Sequence, residues 1–182
     1  MVSLQPIDDP NERIALLLGG WSGALGRDAV PYGNHVRRVV CLVRAQLPLL
    51  HEAQLGQLAV AAAFHDIGIW LDGTFDYLEP SRQHAAAYLE EQGLSVWEPV
   101  VSDMIMLHHQ VRPVHGKPLV DAFRRADWCD VSMGALRRGY PKGKYHALRK
   151  EFPYAGFHQK LMVLTAKQMR KHPLKPLPMF RY

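Results

Sequence analysis

Five stretches of this chain set an imidazole or a carboxylate among apolar neighbours. They are "NHVRRV" with His35, "AAAFHDIG" with His65 and Asp66, "PSRQHAAAYL" with His84, "MIMLHHQ" with His108 and His109, and "RRADWCD" with Asp127. Such groups are costly to bury unless they are paired or bound to a metal. Nitrogen and carboxylate donors suit zinc, manganese or iron, and the lack of thiolates in the set argues against a structural cysteine-type zinc site. Adjacent residues on a regular helix point about 100° apart. His65 and Asp66 therefore converge on one ion most easily where their helix frays, and Gly68 permits that break. An aspartate used through both oxygens can also bridge two ions.

The elements that must carry these residues read as helices, with no convincing alternating strand pattern between them. Asp9-Pro10 starts a helix through "NERIALLL", which Gly19-Gly20 ends, and the glycine-rich connection "GGWSGALGRDAVPYGN" follows. A second helix begins near Asn34, with Val36, Val39, Val40 and Val43 at helical spacing, and Pro48 stops it. A third spans about 51–66, where Ala59 and Ala61 to Ala63 let neighbouring helices approach closely. After a loop, a fourth runs from Pro80 or Ser81 to Gly93, a fifth covers 96–110, and a sixth begins at "LVDAFRRADWCDV". Basic helices at 143–151 and 156–171 precede the proline-punctuated tail "HPLKPLPMFRY", the part expected to be least ordered. The fold class is all-α, one domain over 1–182 with its core at about 30–131 and a basic helical extension at about 140–172.

The order His35, His65-Asp66, Asp127, one helix each, resembles the metal-binding signature of the HD-domain superfamily of phosphohydrolases. The likeness covers about residues 30–131, with "NHVRRV", "FHDIG" and "RRADWCD" matching in local context. His84 and the His108-His109 pair resemble the additional ligands of branches that hold two metals. The resemblance implies one ion on His35, His65, Asp66 and Asp127 and a second on Asp66, His84, His108 and His109, iron or manganese foremost. It also implies a compact helical bundle in which His65 and Asp66 serve catalysis and a metal-bound hydroxide attacks phosphorus. Asp130, three residues beyond Asp127, competes for its role, and the family pattern favours Asp127. The text "HHQVRPVHGKP" departs from the cyclic-dinucleotide branch, which carries an acidic residue and a Gly-Tyr-Pro motif after its paired histidines. The remaining five histidines (His51, His115, His146, His158 and His172) default to surface or loop positions.

Charge points the same way. Twenty-two Lys and Arg against 17 Asp and Glu give a formal +5, much of it after residue 136, which suits anionic partners. Arg37 and Arg38 follow the first ligand and are candidates for gripping a phosphate. Arg38 shares the face of His35 more nearly, and Lys142 and Lys144 in "YPKGKY" could close over an anionic substrate. Nucleic acid is disfavoured, because the basic residues are not interleaved with a nucleic-acid motif. No apolar run approaches the roughly 18 residues that a membrane span needs. The acidic N-terminus does not resemble a secretory signal, and Cys41 and Cys129 lack CxxC spacing, so a reducing, cytoplasmic setting is expected. The expected activity is hydrolysis of a nucleotide or another small phosphorylated metabolite, by a monomer or a homodimer. The alternatives are a di-iron oxygenase of phosphonates or polyols on the same scaffold and a non-catalytic metabolite sensor.

Overall fold

Pro10 opens α1 (Pro10–Gly19), where its missing N–H costs nothing, and Ile14, Leu17 and Leu18 form the buried face. The computed structural model describes residues 10–137, 139–174 and 178–179. The acidic N-terminal residues and tail positions 175–177 and 180–182 lie outside the described residues. The segment read as a glycine-rich connection is instead α2 (Ser22–Leu25), one 3₁₀ turn (Gly26–Asp28) and the first turn of α3 (Ala29–Gln46). That helix starts at Ala29 rather than near Asn34, because Pro31 falls where the backbone N–H has no intrahelical acceptor to lose. The chain continues as α4 (Glu52–Phe64), α5 (Gly68–Leu71), α6 (Leu78–Glu91), α7 (Glu98–Leu107), α8 (Pro118–Val131), α9 (Lys142–Glu151) and α10 (Phe157–Lys171). The described residues form no strand, and the architecture is an all-α bundle. No helix among them is long and apolar enough to cross a membrane.

The axis of the bundle is α4. Leu58 to Ala63 are each 0% exposed, so the helix is buried on every side, and α1, α3, α6, α7 and α8 all pack on it. Its alanines give those neighbours room for close approach. His51 begins it with a capping box: its Nδ1 accepts from the Gln54 N–H, and Gln54 Oε1 accepts from the His51 N–H. Cys41 is half-buried on α3 and Cys129 buried on α8, both as free thiols.

Gly68 matters for a different reason from the one expected. Its φ is not positive, and it starts α5 in ordinary helical conformation. A Cβ there would lie 2.9 Å from the Tyr77 carbonyl oxygen and 3.2 Å from Ser81 Oγ, which accepts the Gly68 N–H at 3.0 Å. The glycine thus lets the start of α6 press against the turn after α4. Gly68→Ala is expected to destabilise the fold by about 1–3 kcal/mol through overpacking, read as a lower denaturation midpoint at unchanged m-value.

Candidate metal centre

The site is built from two helix ends and two helix faces. His65 follows the last residue of α4 and His108 the last residue of α7, where backbone carbonyls lack intrahelical partners. Each ring folds back onto such a carbonyl. His65 Nδ1–H donates to Ala62 O at 2.8 Å and His108 Nδ1–H donates to Ile105 O at 2.7 Å. A carbonyl only accepts, so both neutral rings carry their proton on Nδ1 and present an Nε2 lone pair to the site. On the face of α3, His35 Nδ1–H donates to Asp130 Oδ2 at 2.8 Å, which fixes the same tautomer. The carboxyl ends of α4 and α7 also bring the negative poles of two helix dipoles to this point.

The lone pairs meet. His35 Nε2 and His65 Nε2 lie 3.0 Å apart. Asp66 Oδ2 is 3.4 Å from His65 Nε2 and 4.0 Å from His35 Nε2, and its Oδ1 is 3.5 Å from His108 Nε2. Asp127 Oδ1 is 3.5 Å from His35 Nε2 and 3.8 Å from His65 Nε2, with Oδ2 4.0 Å from His109 Nδ1. His35, His65, Asp66, His108 and Asp127 are all buried, and His109 is half-buried. Asp66 Oδ1 and His108 Nε2 have no hydrogen-bond partner. Three overlapping groups, His35–His65–Asp127, His65–Asp66–His108 and His108–His109–Asp127, can each hold a metal ion. The donor set is nitrogen and carboxylate oxygen throughout, as the sequence pattern required.

Electrostatics mark the same place. Burial, reinforced by His108 and His35, takes His65 down to about 3 against the pull of Asp66, so its lone pair stays free at neutral pH. Burial also opposes the charged form of His108, but the Asp66 and Asp127 carboxylates outweigh it and hold that imidazole above its ordinary value. The position favours a positive charge. Burial raises Asp127 to about 6, the nearby histidines only partly offsetting it. Below that pH the metal-free protein holds a proton that the metal-bound form must release. Metal affinity should therefore fall as pH drops from neutral through about 6, since both the raised Asp127 carboxyl and the raised His108 imidazole must give up protons, in titrations between acid and neutral pH.

Several of the expected site residues lie away from the cluster. His84 does not join the cluster: its Nε2 pairs with Asp72 Oδ2 at 2.8 Å, and both side chains are 37% exposed. The carboxylate just past α5 takes up this imidazole. His84→Ala should leave metal content unchanged and move stability by no more than about 0.5 kcal/mol, by metal analysis and denaturation. Arg38 is no substrate ligand. It is 0% exposed, forks onto Asp130 at 2.7 and 2.8 Å, and donates Nη1–H to Phe152 O and Pro153 O. Asp130 is accordingly no rival ligand but the group that orients His35 and neutralises Arg38, which together hold its carboxyl down to about 2 against burial. Lys144 lies in a separate cleft on α9, and exposed Lys142 begins the same helix. Arg37, half-buried, lays its guanidinium over Gly33.

Other residues of the site carry no local sequence signal. Phe157, at the start of α10, stacks on His35 with centroids 4.2 Å apart and planes 16° from parallel. Tyr145 OH donates to Asp130 Oδ1 at 3.3 Å, and His158 Nε2–H donates to the Asp130 carbonyl at 3.1 Å. His158 is thus part of the wall rather than a free surface residue, whereas His115, His146 and His172 are exposed as expected. Tyr77 OH is 2.6 Å from His109 Nε2, tying that ring to the start of α6. The basic extension is therefore built into the surroundings of the centre. No family model matches this chain, and neither any curated protein nor any solved structure does.

Proposed function

We propose that the chain is a metal-dependent phosphohydrolase of the HD type, cleaving a phosphoester or phosphoanhydride of a nucleotide or another small phosphorylated metabolite. One observation carries the reading. Three imidazole lone pairs and two carboxylates converge in a buried volume where Asp66 Oδ1 and His108 Nε2 have no hydrogen-bond partner. Burial of such a set is costly until a cation balances it.

The disposition of the carboxylates supports two ions rather than one. Asp66 turns Oδ2 to His35 and His65 and Oδ1 to His108, while Asp127 turns Oδ1 to His35 and His65 and Oδ2 to His109. Each carboxylate turns one oxygen to His35 and His65 and the other to one of the paired histidines, so Asp127, like Asp66, would be able to serve both ions. Iron or manganese suits these donors best. When bound, such ions supply Lewis acidity at the phosphoryl oxygens and acidify water. The protein's own part is to hold and orient. Asp66 and His65 serve turnover as ligands, Asp130 locks the tautomer of His35, and the rings of Tyr77 and Phe157 fix His109 and His35.

Phosphate release by manganese- or iron-loaded protein, screened over nucleotides and sugar phosphates, tests the reading. Release from at least one class, abolished by chelation and restored by metal, is expected. Oxygen uptake with a phosphonate or polyol and no phosphate release would establish the oxygenase instead, and tight nucleotide binding without product would establish a sensor.

A further inference from the structure

Between α3, α8 and the start of α9 lies a cleft of about 280 Å³ that shares no lining residue with the metal centre. Arg125 comes from α8, Arg137 from the segment after it, and Lys144 from the first turn of α9, and no carboxylate is among the lining residues. Three cations around one concavity raise the local potential; Asp121 behind Arg125 offsets one of them, and an anion in the space would balance the rest.

Two of the cations are held in place from behind. Arg125 Nε lies 3.2 Å from Asp121 Oδ2, and Arg137 donates Nη1–H to Gly134 O at 2.6 Å. The Lys144 ammonium has no ion pair among the described residues, whereas Lys117 and Lys160 each meet a carboxylate, at 2.7 and 2.6 Å. Gln46, whose amide donates to Leu42 O and Ala122 O, and Tyr140 complete the polar wall. The volume, about 280 Å³, falls just below the roughly 300–1,000 Å³ usual for metabolite pockets. It suits a compact anion better than a whole dinucleotide.

We propose that this cleft is a second anion site, which takes a small phosphate-bearing dianion, inorganic phosphate, pyrophosphate or a simple phosphomonoester, independently of the metal centre. The cleft lies on α8 beside Ala126 and Cys129, between which runs the turn carrying Asp127, so an occupant here braces the same helix that supplies a metal ligand.

Calorimetric titration of chelator-treated full-length protein with phosphate, pyrophosphate and a nucleoside 5′-monophosphate tests the site apart from any metal. Saturable binding of at least one probe is expected, weakening with salt. Binding should persist in Asp66→Ala, persist in Lys144→Arg, and weaken about tenfold or more in Lys144→Glu, an exposed position that leaves the fold intact. The relative affinities of the three probes show whether the bare anion or the ester is preferred. No saturable binding to the wild-type protein would overturn the proposal, as would binding unchanged in Lys144→Glu or abolished in Asp66→Ala.

Discussion

Asp66→Ala is expected to strip the protein of metal and to lower phosphate release by about a thousandfold or more, while the helical circular-dichroism signal stays unchanged. Asp66 is the carboxylate whose two oxygens face His65 and His108 on opposite sides, so its loss removes a ligand from both halves of the cluster. The fold does not depend on it in the same way. Asp66 Oδ1 has no hydrogen-bond partner, and the carboxyl is held ionised, against burial, by the His65, His108 and His35 imidazoles. Removing it leaves neutral rings that tolerate burial. Metal analysis and phosphate assay on the same preparation decide the point, and retained turnover in metal-depleted variant protein would refute the hydrolytic role.

Asp130→Ala is expected to do the reverse, unfolding the protein more readily by about 3–5 kcal/mol. Arg38 is wholly buried, and Asp130 is the only carboxylate that its fork meets among the described residues. Truncation strands that guanidinium, frees the Nδ1–H of His35, and removes one of the two partners of Tyr145 OH, the other being Tyr154 OH. Asp130→Asn keeps the size but loses the charge. It should destabilise less and still weaken metal binding by about 10–100-fold, since the tautomer of His35 is no longer enforced. Denaturant midpoints at constant m-value measure the first effect, and metal titration of the Asn variant the second.

The contrast between these aspartates shows what was legible in the sequence. Helical periodicity and caps marked nearly every element, because most of the amphipathic stripes and stop signals are local. The clustering of His35, His65, Asp66, His108 and Asp127 was legible because each polar residue interrupts an apolar face that has to be buried. The start of α3 was not, since Gly23, Gly26 and Pro31 look like a loop although a proline in the first turn costs a helix nothing. The role of Arg38 was half legible. Its spacing places it on the face of His35, but its partner is 92 residues away and the two carbonyls it caps are more than 110 away. His84 misled for the same reason: its helix position was read correctly, while the Asp72 carboxylate that meets it sits at the end of a short helix in what looked like a loop. Phe157, Tyr145 and His158 reach the site only through tertiary packing of the basic extension, which no local pattern announces.

The most direct test of the centre is anomalous diffraction at the metal edge from crystals of protein loaded with manganese or iron. Two peaks are expected, one within about 2.0–2.3 Å of His35 and His65 nitrogens and the other equally close to His108 and His109, with Asp66 and Asp127 oxygens shared between them. A cluster without an anomalous peak in fully loaded, active protein, or an ion held by His84 instead of Asp127, would contradict it.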